Sequence, residues 1–68
     1  MTTNETAAYN AGTAAAITGK KCPTYYTGNL AIAFRLGKLE TIAAAGTITD
    51  DGRGWLAHDV AYFADRAA

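Results

Sequence analysis

The chain contains no serine, and only one cysteine, one proline, one histidine and one tryptophan occur among its 68 residues. Because Cys22 is alone, no disulfide can form within the chain. Cys22 and His58 are too few for a structural zinc site, which takes four ligands. With no serine, and with no second cysteine or nearby histidine beside Cys22, no nucleophile and base pair is recognisable. We therefore expect no catalytic residue, no cofactor, no metal site and no enzymatic activity.

Large apolar side chains are also scarce. Half of the residues are hydrophobic, but 16 of them are alanines, which bury little area. A chain of 68 residues forms one domain, residues 1–68, and buries only about 60% of its unfolded surface. With a thin core and no disulfide, oligomerisation is a common source of additional stability. The composition therefore favours a homodimer.

An excess of charge of either sign is absent, because six cations balance six carboxylates. The two parts of the chain nevertheless differ: residues 1–40 carry a net charge of +2 and residues 41–68 carry −2. A protein that wraps nucleic acid is clearly basic overall, and this one is not. The uneven distribution suits a small basic patch, or a head-to-tail attraction between copies.

Long apolar runs are missing too. The first eight residues, MTTNETAA, are polar, so we expect no secretory signal. No stretch approaches the roughly 18 apolar residues that a membrane-spanning helix needs. Together with the lone thiol, these features predict a cytoplasmic protein, of a bacterium or of the bacterial host of a phage, that does not act at a membrane.

Helix signals are present along the whole chain. Thr2 and Glu5 have the spacing of a capping box, which predicts a first helix over residues 3–18 that ends before Gly19. Small residues recur at every fourth position of this helix, so another helix can approach it closely. The small residues are Ala8, Gly12 and Ala16, and Tyr9 and Ile17 flank them.

A second and a third helix follow. Turn residues before Leu30 and a glycine at position 46 predict a second helix over residues 30–45. Gly37 in its middle indicates a close helix crossing or a kink. Residues 47–54 form a turn-rich connector, in which a short strand at 47–49 is a weak alternative. A third helix over residues 54–67 completes an all-α bundle of three short helices.

The third helix carries two different stripes at helical spacing. We expect the apolar stripe to face the core; it comprises Leu56, Val60, Phe63 and Ala67. A second stripe, expected to point away from the core, combines aromatic and charged residues. Tryptophan, tyrosine and arginine are enriched at interface hot spots. The second stripe is therefore a predicted protein interface of Trp55, Asp59, Tyr62 and Arg66, although these residues could instead pack on the other helices.

The connector between the first two helices has cations and aromatic side chains close together. Such a set can hold an RNA backbone and stack on bases. The possible RNA contacts are Lys20, Lys21, Tyr25, Tyr26, Arg35 and Lys38. Alternatively, this segment is a solvated connector whose tyrosines fold onto the helices. Cys22 is either a reactive thiol near two lysines or a small apolar residue packed beside Pro23.

One extended motif resembles a known family. The stretch YNAGTAAAITGKKCPTYY, followed by AFRLG, has a helix with small residues, a basic connector with Cys-Pro and an aromatic residue, and a second helix with Phe34 three residues before Gly37. Over residues 8–38 this pattern resembles the ribosome modulation factor family of small bacterial proteins. The matching positions are Tyr9, Ala11, Gly12, Gly19, Lys20, Cys22, Pro23, Tyr25, Phe34 and Gly37. The resemblance implies a two-helix core whose basic connector contacts ribosomal RNA and silences translation.

Three functional hypotheses follow, and all are non-enzymatic. The first is a regulator of the ribosome modulation factor type, which contacts RNA or the ribosome through the basic connector. The second is a phage-encoded inhibitor of a host protein, for example a defence or transcription-regulatory protein, which docks through the third helix. The third is a structural subunit of a larger assembly.

Overall fold

The computed structural model describes residues 1–67 of the chain, with only the backbone of Ala67, and places three α-helices in them. Helix α1 spans Thr3–Thr18, α2 spans Asn29–Ala44 and α3 spans Asp50–Ala67. The prediction of an all-α protein is confirmed. Residues 47–49 form no strand, and no strand occurs elsewhere in the described part.

The ends of α1 follow from its sequence. The Thr2 hydroxyl accepts a hydrogen bond from the Glu5 amide at 3.2 Å, and the Glu5 carboxylate accepts one from the Thr2 amide at 2.8 Å. These two bonds complete the predicted capping box. At the other end, Gly19 has a φ of 75°, a left-handed conformation that glycine adopts without strain, and its amide donates to the Ala15 carbonyl at 2.7 Å.

Helix α3 begins four residues earlier than predicted. The Gly52 amide donates to the Thr49 hydroxyl at 3.0 Å, so Thr49 caps the helix. Asp50 and Asp51 occupy the first turn, where carboxylates interact favourably with the helix dipole. Gly52 and Gly54 have low helix propensity, for which the cap and the acidic first turn compensate.

Helices α1 and α2 cross with their backbones almost in contact. A Cβ atom added to Gly12 would lie 1.9 Å from the Phe34 carbonyl oxygen, and one added to Gly37 would lie 2.1 Å from the Tyr9 carbonyl oxygen. No side chain fits at either position. The predicted close crossing at Gly37 is therefore confirmed. The buried small-residue strip includes Ala15 rather than Ala16, which is half-buried.

The core is as thin as the composition suggested. Its buried hydrophobic residues are Ala8, Ala15, Ala33, Phe34 and Leu36. Phe34 is the largest of these side chains, and half-buried residues pack against the core, among them Tyr26 and Phe63. Ile17 lies outside this core with 77% of its surface exposed, contrary to its predicted place beside the crossing.

The face that α3 packs against α2 is rotated from the predicted one. Leu56 and Phe63 of the predicted apolar stripe are half-buried, and the side chain of Ala67 lies outside the described residues. Asp59, predicted to point away from the core, is completely buried. Val60, predicted to face the core, is 50% exposed. The buried face of α3 is centred on Asp59, with Phe63 at its edge, because α2 presents a charged partner there rather than an apolar surface.

The crossing yields the first prediction. Gly12→Ala forces a methyl group into the Phe34 carbonyl, and the helices must separate. We expect a loss of about 2 kcal/mol or more in the free energy of unfolding, measured by urea denaturation followed by circular dichroism.

Gly54→Ala is the matched control. Gly54 also lies inside a helix, but nothing lies within 4 Å of an added Cβ. Alanine there should stabilise the protein by about 0.5 to 1 kcal/mol, through helix propensity alone. Equal effects of the two substitutions would show that α1 and α2 do not cross as described.

Candidate binding surface

An ion pair connects α2 to α3. The Arg35 Nε donates to Asp59 Oδ2 at 2.7 Å, and its Nη2 donates to Asp59 Oδ1 at 2.6 Å. This bidentate geometry is the strongest arrangement for an arginine and a carboxylate. The Asp59 side chain has no exposed surface, whereas 36% of the Arg35 side chain remains exposed. The pair therefore positions α3 from within the protein.

Two aromatic rings complete this cluster. The Arg35 guanidinium lies 4.4 Å from the centre of the Trp55 ring, a cation–π contact. His58 Nδ1 lies 2.9 Å from Asp59 Oδ1, and the His58 ring meets the Trp55 ring edge-on at 5.8 Å. Adjacent residues of a helix do not face each other, so the sequence spacing alone does not predict this His58–Asp59 contact. We call these four residues the clamp.

The clamp changes the acidity of its members. Burial alone would raise the pKa of Asp59, but hydrogen bonds from Arg35 and then from His58 outweigh it and hold the pKa below its ordinary value of 3.8. The hydrogen bond to Asp59 raises the pKa of Arg35 in return. Both groups are therefore charged at neutral pH, and both carboxylate oxygens of Asp59 are engaged by hydrogen bonds within the protein.

The rest of the predicted interface stripe also contacts the protein's own helices. The Tyr62 hydroxyl donates a hydrogen bond to Asn29 Oδ1 at the start of α2. The Arg66 guanidinium lies 3.7 Å from the Glu5 carboxylate of α1 and 5.3 Å from the Tyr62 ring centre. The predicted outward orientation is thus wrong for Asp59 and Tyr62. A role in binding another protein stays a prediction, which Trp55 and Arg66 retain the exposure to fulfil.

The basic connector borders a groove on the side of the α1–α2 crossing. This groove has a volume of about 260 Å³, an apolar floor and a rim with two lysines. Lys20 and Lys21 are exposed and make no ion pair with any residue that the structure describes. The lining residues are Ala11, Ala14, Ala15, Thr18, Lys20, Lys21, Pro23 and Phe34.

A second groove adjoins the first, because Phe34 lines both. Its volume is about 300 Å³, and its lining residues are Cys22, Ala31, Phe34, Arg35 and Lys38. Lys38 is half-buried and, like the connector lysines, has no carboxylate within ion-pair distance in the described part of the chain. The positive charge of Arg35 is compensated by Asp59.

The two connector tyrosines have different environments. Tyr26 is half-buried with its ring centre 5.9 Å from that of Phe34, so it packs onto the helices. Tyr25 meets Tyr26 edge-on at 5.0 Å and is 75% exposed. One tyrosine therefore belongs to the fold and the other faces solvent. We call the two grooves, Tyr25 and the three lysines Lys20, Lys21 and Lys38 the lysine face.

Cys22 lies on this face. Its thiol is exposed and its sulfur lies 3.6 Å from the Pro23 carbonyl oxygen. It therefore does not pack as a buried apolar residue beside Pro23, which was the alternative to a reactive thiol.

An acidic hollow lies at the start of α3. It has a volume of about 370 Å³ and is lined by Asp50, Asp51, Gly54, Trp55 and His58. The two carboxylates are exposed and the His58 side chain is 55% exposed. Within residues 1–67 no three potential ligands come together as a metal site would require. None of the helices in the described residues combines the length and the apolar composition that spanning a bilayer requires.

Comparison of the chain with protein-family models, with curated proteins and with solved structures finds no match. The resemblance to ribosome modulation factor stays a prediction, which these comparisons do not test. The sequence indicated the connector cations and Tyr25. It did not indicate the grooves or the clamp, since both depend on which helix faces meet. The only hint of the clamp in the sequence is the four-residue spacing that puts Trp55 and Asp59 on one side of α3.

The clamp yields the second prediction. Asp59→Asn removes the charge that compensates Arg35 while keeping the side-chain size. We expect a loss of about 3 kcal/mol in the free energy of unfolding, at the low end for a buried ion pair because Arg35 is partly exposed. Urea denaturation followed by Trp55 fluorescence measures it. Asp65→Asn makes the same chemical change at an exposed position of α3 and should cost less than 0.5 kcal/mol.

A third prediction concerns the stability of the folded protein at acid pH. Because the pKa of Asp59 is lower in the folded than in the unfolded protein, its stabilising contribution is complete above the unfolded value near 3.8 and is lost as the pH falls through the folded value. Stability should therefore fall below about pH 4. The fall should be less steep in Asp59→Asn, with a remainder from Glu5, whose pKa is lowered by its hydrogen bond from the Thr2 amide. Identical slopes would contradict this assignment.

Proposed function

We propose that the protein is a non-enzymatic regulatory binding protein that attaches to RNA through the lysine face, in the manner that its resemblance to ribosome modulation factor implies. The main support is the arrangement of charge. Lys20, Lys21 and Lys38 surround apolar grooves without an ion-pair partner among the described residues. Unpaired cations of this kind can bind phosphates without first breaking an internal contact.

The exposure of Tyr25 favours RNA over other polyanions as the ligand of this face. Its ring is 75% exposed and is held against Tyr26, which is itself packed on Phe34. An exposed ring that is held in place from below offers a stacking surface to an unpaired nucleotide, and such stacking does not require a particular nucleobase. The proposed contact residues are therefore those of the lysine face, with Arg35 contributing its exposed part.

A non-enzymatic role is supported by the use of the single histidine–carboxylate pair. Asp59 Oδ1 accepts from both Arg35 and His58, and Asp59 is sealed inside the protein. These contacts hold α3 in place. Their geometry serves to position a helix, and we propose that the protein acts by occupying a surface of a larger partner.

The alternative, a phage-encoded inhibitor that docks on a host protein through the third helix, has less support. Two members of the proposed stripe, Asp59 and Tyr62, are engaged within the chain. Only Trp55 and Arg66 remain available to a partner. The proposed compartment is the bacterial cytoplasm, where either target is accessible.

We also propose that the protein forms a homodimer. Three of its five buried hydrophobic residues are alanines, and Trp55, Tyr25 and Ile17 are more than half exposed. A second copy would cover part of this apolar surface and add the stability that so small a core lacks.

The fourth prediction tests RNA binding. Ribosome co-sedimentation and fluorescence anisotropy with fragments of ribosomal RNA should show binding that weakens steeply with salt. The double variant Lys20→Ala, Lys21→Ala should bind more weakly, and the slope of log affinity against log salt should fall by about 1.4.

Arg53→Ala is the control, because Arg53 is an exposed cation on α3 that lines neither groove. It should leave affinity and slope close to those of the unmodified protein. Tyr25→Ala should weaken binding at all salt concentrations without changing the slope. Equal losses for each charge removed, in Arg53→Ala and in the double lysine variant, would show that the protein binds only through its overall charge.

A further inference from the structure

The acidic hollow and the lysine face belong to one continuous surface. Trp55 lines the hollow and stacks on Arg35, and Arg35 lines the second groove. Phe34 then joins the second groove to the first. Shared lining residues and the contact between Trp55 and Arg35 therefore connect the start of α3, the middle of α2 and the connector after α1. We call this surface the strip.

The two ends of the strip carry opposite charge. Asp50 and Asp51 lie at one end, and Lys20 and Lys21 lie at the other. All four are exposed, and none makes an ion pair with a residue that the structure describes. Two equal and opposite pairs of charges thus flank the central part of the strip, and Lys38 lies between them, in the second groove.

The central part suits burial. Trp55 is 52% exposed, and its ring covers a guanidinium whose charge is already compensated. Phe34 forms the floor of both grooves, with alanines beside it. A surface with a large aromatic residue and an arginine at its centre and with charges at its rim has the usual composition of a protein interface.

A surface whose two ends carry opposite charge is complementary to a copy of itself. A two-fold axis through its middle brings each end onto the other end of the second copy, as an isologous interface requires. We propose that the homodimer forms through the strip in this antiparallel arrangement. Asp50 and Asp51 of each copy then face Lys20 and Lys21 of the other, while Trp55 and the grooves are covered at the centre.

The size of the surface is consistent with this arrangement. A standard interface buries about 800 Å² on each partner. The chain has an accessible surface of 4399 Å², so such an interface would cover about a fifth of it. The strip includes residues of all three helices.

One consequence concerns regulation and rests on the proposed RNA binding. The dimer covers Lys20 and Lys21, which are also the proposed phosphate contacts. A second copy and RNA therefore compete for the same lysines. The dimer is then the resting form, and RNA binding releases monomers.

The experiment uses charge exchange on the full chain and measures mass in solution by analytical ultracentrifugation. One variant carries Asp50→Lys and Asp51→Lys, and the other carries Lys20→Glu and Lys21→Glu. We expect the unmodified protein to dimerise at tens of micromolar. Each variant alone should be monomeric, because like charges then meet at both ends, and an equimolar mixture should form mixed dimers.

Two controls separate this interface from general charge effects. Asp65→Lys changes an exposed carboxylate outside the strip and should leave dimerisation intact. Trp55→Ala removes the central contact without changing the charge and should weaken the dimer at least tenfold. Circular dichroism confirms that each variant is folded. If a double variant unfolds, the single variants Asp51→Lys and Lys21→Glu repeat the exchange as two separate proteins, alone and mixed.

The outcomes are distinct. An unmodified protein that stays monomeric, variants that dimerise alone, or a mixture that stays monomeric would each overturn the strip as the interface. RNA binding is measured on the same samples, and the Trp55→Ala variant should bind RNA more tightly than the unmodified protein, because it dimerises less with no change in charge. Dimers that form through the strip without any RNA binding would overturn the proposed function and leave the interface standing.

Discussion

The buried contact between Arg35 and Asp59 determines the position of α3 and, through it, the surface of the molecule. A rotation of α3 that buried Val60 would leave the Asp59 charge facing solvent and the Arg35 guanidinium without its partner. Buried ion pairs contribute little net stability, but separating one is costly. The pair therefore acts mainly by selecting one rotation of the helix over its neighbours. That rotation also brings Trp55 over Arg35 and so joins α3 to the grooves on α2.

The contact between α1 and α2 depends on a different constraint. Gly12 and Gly37 allow the two backbones to meet. Phe34 is the largest buried hydrophobic side chain, and half-buried Tyr9 and Leu30 pack against the same core. A crossing this close leaves no room for further large side chains. The connector consequently lies over Phe34 by way of Tyr26, and its lysines are left at the edges of the two grooves.

The sequence predicted those features that local interactions determine. The capping box of α1, the glycine at its end and the close approach at Gly37 each depend on a few neighbouring residues or on one missing side chain. The rotation of α3 could not be predicted in the same way. Its apolar stripe suggested that Val60 faces inward, but the preference is weak because alanines surround it. The decisive partner, Arg35, is 24 residues away, and nothing in the spacing of α3 alone connects it to Asp59.

The same constraints account for the charged ends of the strip. Asp50 and Asp51 stabilise the start of α3 through the helix dipole, while Lys20 and Lys21 follow the end of α1, where cations interact favourably with the opposite pole. Each pair is thus placed by the helix next to it. Helix α2 packs against both α1 and α3. The contact of Trp55 with Arg35 and the two grooves therefore connect the acidic pair to the basic pair across α2. A surface with this polarity favours partners that carry the reverse order of charge, and a second copy turned by half a rotation has that order.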